Sequence, residues 1–199
     1  MQKQIKYIFF VILTLIYITG CNENFPIKQD ISRTQNEFLN EDSIKVIFPE
    51  MIKGKVTLVT MIYTHCPDIC PMTTHNMQLV ESKLSKDELD KVHFVVITFD
   101  PNRDTPYVLK KYAEIRDINF NRWSLLSGNE QSTKEVLLKF DINAIPIDSS
   151  YDEKGNLSYY FIHTDRISLI DQKGQLRKNY TGSIADINEI VNDIKYLLN

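Results

Sequence analysis

The chain has 199 residues, 43% of them hydrophobic and 25% charged, which is enough for one domain with a full core and too apolar for a disordered chain. Its net charge is −3, its pI is near 5.8, and it has no block of Lys or Arg. That balance argues against a nucleic-acid partner, because such binding rests on phosphate neutralisation.

At the N-terminus, Lys3 and Lys6 precede an apolar stretch from Tyr7 to Ile18, and Ile18-Thr19-Gly20-Cys21 resembles a bacterial lipobox, where cleavage precedes a lipidated cysteine. The stretch is shorter than the ~20 residues a spanning helix needs. Residues 1–20 are therefore expected to be a lipoprotein signal peptide and Cys21 the lipid anchor; an uncleaved signal anchor with an idle Cys21 is the alternative. Either arrangement exports the rest of the chain to the extracytoplasmic side of a membrane, where disulfides persist. Residues 22–43 are polar and without a sustained period. Together with Cys21 they read as a flexible tether, with a reach on the order of 25 Å, leading to one domain over 44–199.

Within that domain, Val56 to Tyr63 is a near-continuous, β-branched run that fits a strand buried on both faces, and it ends at Thr64-His65-Cys66-Pro67-Asp68-Ile69-Cys70-Pro71. Pro71 suits the first turn of a helix whose core face is Met77, Val80 and Leu84. A second unit follows, with a strand from Val92 to Phe99 and a helix opened by Pro106 behind a Thr105 cap and running to about Asp117. A short strand at Trp123 to Leu126, a helix from Glu130 to Phe140, a paired stretch from Tyr159 to Tyr180 turning at Gln172-Lys173-Gly174, and a helix from Ile184 to Leu198 complete the pattern. Residues 141–158 read as a long insertion of functional character, with disorder as the rival explanation. The alternation predicts an α/β fold with a central sheet flanked by helices.

Cys66 and Cys70 carry the chemistry. At helical pitch, residues four apart lie on one face about one turn apart, so two thiolates can converge on one soft ion. Each is followed by proline, which stiffens the loop, and a helix starting near Pro71 favours the thiolate that binds metal and attacks disulfides. A cysteine pair at the start of a helix after a strand resembles thioredoxin-like folds, although their redox enzymes usually have two intervening residues and a tryptophan where this chain has His65. The bland reading is an inert disulfide or two core cysteines. Two thiolates suit Cu(I), and an added imidazole makes a site that also accepts Cu(II). Four histidines compete for that place. His65 should point away from Cys66 in an extended stretch, His75 lies inside the following helix, and His93 opens a strand near the far end of the sheet. His163 stands where an apolar run meets a loop, but spacing alone does not bring it to Cys66.

Four segments occur in order: Tyr63 to Pro71; Phe99-Asp100-Pro101-Asn102-Arg103-Asp104-Thr105-Pro106; Trp123-Ser124-Leu125-Leu126-Ser127-Gly128; and His163 before Leu169-Ile170-Asp171-Gln172-Lys173-Gly174. This series, over about residues 55–182, resembles the SCO/SenC family of copper-binding assembly proteins for cytochrome c oxidase. The resemblance implies a thioredoxin-like domain in which Cys66, Cys70 and His163 bind one copper ion, Cu(I) or Cu(II). The ion would be donated to the binuclear copper centre of oxidase subunit II or to another copper acceptor. It also implies a dithiol/disulfide cycle at the cysteine pair, served by a thiol reductant. Asp100 ends a strand on the side of the sheet where the cysteine loop emerges, so it is expected to orient a ligand from behind; the rest of that segment can be wholly architectural. Two stretches depart from the family pattern: Thr164 to Ser168 is more polar than usual, and the strands before Gly54 are shortened to Ile44–Phe48. The rival function is an extracytoplasmic thiol-disulfide oxidoreductase that carries no copper. A peroxidase of related fold would need an activating arginine motif around Cys66, and none is present.

Overall fold

The computed structural model describes residues 25–151 and 157–199; residues 1–20, expected to be a signal peptide, and Cys21 lie outside them. The stretch expected as a tether belongs to the fold from Phe25 onward. It contains strands β1 (Gln29–Asp30) and β2 (Asn36–Leu39), and Phe25, Ile31 and Phe38 are buried. The alternation that buries Asn36 and Phe38 and exposes Glu37 and Leu39 is only four residues long, too short to stand out from polar neighbours. Next come β3 (Lys45–Phe48), a 3₁₀ turn at Glu50–Ile52, and β4 (Val56–Ile62), which is buried at every position.

The cysteine loop leads into α1 (Ile69–Lys83), which begins two residues before Pro71 and buries Thr73, Thr74, Met77 and Val80. A short helix, α2 (Lys86–Leu89), starts with a capping box between Ser85 and Glu88. Then follow β5 (Val92–Thr98) and α3 (Pro106–Glu114), with Pro106 in its first turn and the Thr105 hydroxyl accepting from the Val108 amide at 3.4 Å. α3 stops short of Asp117 because Asp117 takes φ +52° and the Ile118 amide turns back to the Ala113 carbonyl at 3.1 Å. β6 (Trp123–Gly128) leads to α4 (Glu130–Lys139), capped by Asn129.

Residues 141–158 are not a plain loop. They hold β7 (Ala144–Tyr151) and the start of β8 (Leu157–His163), which pair antiparallel as a separate two-stranded sheet. The stretch read as one pair from Tyr159 to Tyr180 is accordingly divided. β8 pairs backwards with β7, while β9 (Ile167–Ile170) and β10 (Gln175–Tyr180) form their own hairpin around Gly174, whose φ of +78° suits a residue without Cβ. The last helix is α5 (Ile187–Leu198), capped by Asp186 and burying Ile190, Val191 and Ile194.

The main sheet has the order β1-β10-β9-β4-β5-β6-β2-β3. β4, β5 and β6 run parallel at its centre, and β9 and β2 flank them antiparallel, so the sheet is mixed and the α/β class expected from the sequence holds. Helix α1 packs on α5 and β4, α3 on β6, and α4 on β2 and β6. The cysteine loop follows the C-terminal end of β4, and Asp100 lies just beyond the C-terminal end of the neighbouring β5, which is where open parallel sheets place their ligands.

Candidate metal centre

Beyond β4 the chain turns tightly, the Cys66 amide donating to the Tyr63 carbonyl at 3.2 Å. Asp104, fully buried, holds that turn from the segment between β5 and α3. Its carboxylate accepts from the Thr64 amide at 2.9 Å, from the Thr64 hydroxyl, and from the Thr98 hydroxyl at 2.6 Å. Burial pushes the Asp104 carboxyl up from its ordinary range, against the pull of those hydrogen bonds.

Asp68 occupies the cap position of α1, yet its side chain makes no capping bond. The sulfur of Cys66 takes that part: the Cys70 amide, in the first helical turn, donates to Cys66 Sγ at 3.4 Å. Pro71 has no amide hydrogen to leave stranded there. The Cys70 thiol above all, then the His163 ring and the amides of Cys70 and Asp68, stabilise the Cys66 thiolate and lower its pKa to about 3, despite burial. Cys70, only 1% exposed, is pushed far the other way by its hydrogen bond to Cys66, by burial and by the Cys66 charge. The apo pair is thus one thiolate beside one thiol, both unbridged.

His163 reaches this pair from β8. On that strand Tyr160 and Ile162 are exposed, while Tyr159, Phe161 and His163 turn inward on the two-residue repeat. The His163 ring packs on Phe99 and Tyr63, at centroid distances of 5.1 and 5.9 Å. Its Nδ1–H donates to the Thr164 carbonyl at 3.2 Å, which leaves Nε2 facing the sulfurs, 4.0 Å from Cys66 and 3.6 Å from Cys70. Burial opposes protonation of His163, but Cys66, the Thr164 carbonyl and Asp165 outweigh it and hold its pKa above the ordinary value. The ligand atoms of Cys66, Cys70 and His163 all lie within 4.8 Å of one another, close enough to meet on one ion.

Asp165 secures the junction. It accepts from Thr73 of α1 at 2.7 Å and from the amide and hydroxyl of Ser183 at 2.7 and 2.6 Å, so the strand end bearing His163 is tied to the helix bearing Cys70. Gly182 makes room for this knot: a Cβ there would fall 2.4 Å from Asp165 Oδ1 and 2.5 Å from Thr73 Cγ2.

The other candidates lie elsewhere. His65 and His75 are exposed, and His93 bonds Ser124 on β6 at 3.0 Å. Asp100 is buried, but its carboxylate accepts from the Tyr159 hydroxyl at 2.7 Å and from Arg103, and among the described residues it bonds none of Cys66, Cys70 and His163. Any influence on the ligands passes through those partners. Sequence reasoning passed over Asp104 and Asp165. Asp104 stood in a segment whose polar residues all read equally well as a turn, and Asp165 carried no local signal, because its partners lie 92 and 18 residues away.

A family model described as SCO1/SenC matches residues 29–199. Three solved structures are similar. Copper-bound ScoI of Bradyrhizobium japonicum shares 27% identity and a TM-score of 0.70, over 82% of this chain and 98% of that one. A SCO1/SenC family lipoprotein of Bacillus anthracis shares 26% identity and a TM-score of 0.70, over 87% and 100%. BsSco, a member of the Sco family of cytochrome c oxidase assembly proteins in which a disulfide switch was identified, shares 29% identity and a TM-score of 0.63, over 85% and 95%. The fold is thioredoxin-like, and the chain belongs to the SCO1/SenC family.

Proposed function

We propose that this chain is a membrane-tethered copper carrier of the extracytoplasmic space that binds one copper ion through Cys66, Cys70 and His163. It would pass the ion to the binuclear copper site of cytochrome c oxidase subunit II. The observation that carries this reading is the convergence of two sulfurs and one imidazole nitrogen within 4.8 Å. Two thiolates and an imidazole fit a soft, low-coordinate ion such as copper, and a three-ligand set leaves a side open for an acceptor's own thiols. The similar ScoI is described with copper bound, and the similar BsSco as an oxidase assembly protein. Binding would deprotonate Cys70 and hold His163 neutral, so loading releases protons.

The tether rests on Ile18-Thr19-Gly20-Cys21 and is supported by the similar lipoprotein. No helix among the described residues is long and apolar enough to cross a membrane. Lipid labelling should depend on Cys21, and membrane retention of a Cys21→Ser variant would favour an uncleaved anchor instead.

The deciding experiment is an anaerobic Cu(I) titration, with a parallel Cu(II) titration, of the parent and of variants with Cys66, Cys70 and His163 replaced in turn. One equivalent is expected for the parent, a loss of about 100-fold or more in affinity for either cysteine variant, and for His163→Ala a loss chiefly of Cu(II) binding. Undiminished binding in all three variants would refute the site.

A second reading is favoured by the thiolate–thiol pair itself. Cys66 would attack a target disulfide, releasing one target thiolate and forming a mixed disulfide. Cys70, once deprotonated, would then attack Cys66 Sγ, releasing the second target thiolate and leaving the pair oxidised until a thiol reductant restores it. A chain acting only in this way keeps its reductase activity in His163→Ala.

A further inference from the structure

We propose that Arg103 is a positioning residue for His163, clamping β8 against the domain four residues before the ligand. This inference rests on the ligand set proposed above. The hairpin of β7 and β8 shares no strand pairing with the main sheet among the described residues, so its inward side chains have to hold it in place. Those side chains recur at every second residue. His163 meets the sulfurs, Phe161 packs on Tyr63 and Phe99, each at 5.1 Å between ring centroids, and Tyr159 meets Arg103.

The Arg103 contact joins backbone, side chain and charge at one point. Its Nη1 donates to the Tyr159 carbonyl at 2.9 Å, and its guanidinium carbon lies 3.5 Å from the centroid of the Tyr159 ring. Its Nε donates to Asp100, whose other oxygen accepts from the Tyr159 hydroxyl at 2.7 Å. One guanidinium therefore grips the same residue by its carbonyl and by its ring, while Asp100 secures both gripping partners. The guanidinium also lies 5.8 Å from the ring of Tyr63, the residue that precedes the cysteine loop and whose hydroxyl accepts from the Phe161 amide at 3.4 Å. Arg103 Nη2 is buried and has no hydrogen-bond partner among the described residues, so the side chain is not placed merely to satisfy its own nitrogens. Lysine carries the same charge but offers neither the fork nor the flat stacking face.

The clamp fixes the register and tilt of β8 at Tyr159, while Thr164 and Asp165 fix its far end, and His163 is suspended between the two fixed points. Release of the first point leaves the imidazole free to swing while both sulfurs remain where α1 holds them. This gives Asp100 its part in the site: it orients Arg103 and Tyr159, and through them the ligand.

The test uses Arg103→Lys and Tyr159→Phe, the second removing only the hydroxyl that meets Asp100. In the reduced apo-protein, amide exchange at Phe161, whose amide donates to the Tyr63 hydroxyl, is expected to accelerate about tenfold or more, with β4, β5 and α1 unchanged. With copper, Cu(II) affinity is expected to fall about tenfold with altered nitrogen hyperfine structure, and Cu(I) affinity to change less than about threefold. Parental exchange at Phe161 in both variants would overturn the proposal, as would equal acceleration throughout the core, which would make Arg103 a general stability residue. A parent that binds no copper refutes the ligand set instead, and the apo exchange readout still decides whether the clamp exists.

Discussion

Replacing Asp104 should uncouple the cysteine loop from the sheet, and the cost follows from its hydrogen bonds. The carboxylate is fully buried and serves three donors: the Thr64 amide, the Thr64 hydroxyl and the Thr98 hydroxyl. Asp104→Ala leaves all three without a partner, at about 1–1.5 kcal/mol each, and recovers part of the cost of burying a carboxylate. A net loss of about 3 kcal/mol is expected, which for a chain of this size lowers the Tm by roughly 6–12 °C. Thr64→Val removes one of the three donors and should cost about 1 kcal/mol. Because both changes strike the same hydrogen bond, the double variant should be less destabilised than the sum of the singles by about 1 kcal/mol. Urea denaturation of the reduced apo-proteins measures all three, and alkylation of Cys70 should quicken as the loop loosens. A loss below about 1 kcal/mol for Asp104→Ala, or strict additivity in the cycle, would refute Asp104 as the anchor.

Acid should act through His93, whose pKa burial, helped by Lys55, lowers from 6.5 to about 4. A histidine with a depressed native pKa stays neutral in the fold and charges first in the unfolded chain. Its contribution is complete above pH 6.5 and is lost as the pH falls toward 4, by at most about 3 kcal/mol. Denaturant midpoints measured from pH 7 to 4 should show that slope, and His93→Phe should flatten it. Gly182→Ala should cost about 1–3 kcal/mol, because its Cβ must displace Asp165 or Thr73. It should also weaken Cu(II) binding more than Cu(I) binding, and an unchanged Tm would show that the knot yields freely.

What could be read beforehand depended on how local the signal was. The parallel core was legible because Val56 to Ile62 and Val92 to Thr98 are long, β-branched and buried almost throughout, and the start of α3 because Thr105 and Pro106 act within one turn. Cys66 and Cys70 were legible as a pair because they stand four residues apart at a helix start, although Cys66 lies in the turn before α1 and is joined to Cys70 by the Cys70 amide rather than by helical pitch. Elements defined by distant partners were not. β2 is recognisable as a strand only because β3 and β6 lie on either side of it. β7 carries Pro146 and a register shift between Ile147 and Ser150, which obscure the alternation of an ordinary strand. His163 needed either the family resemblance or the fold, since nothing near it in the chain points to sulfur.

The two halves of the metal centre arrive by different routes. Both sulfurs come from one short strand–loop–helix segment, whereas the imidazole lies 97 residues beyond Cys66 on a hairpin of its own. The dithiol needs its own segment and the Asp104 anchor, 40 residues beyond Thr64, whereas the nitrogen joins only when the β7–β8 hairpin docks, a longer closure. A chain whose β7–β8 hairpin has not docked would therefore offer an ion sulfur alone. Full coordination then reports that the fold is finished.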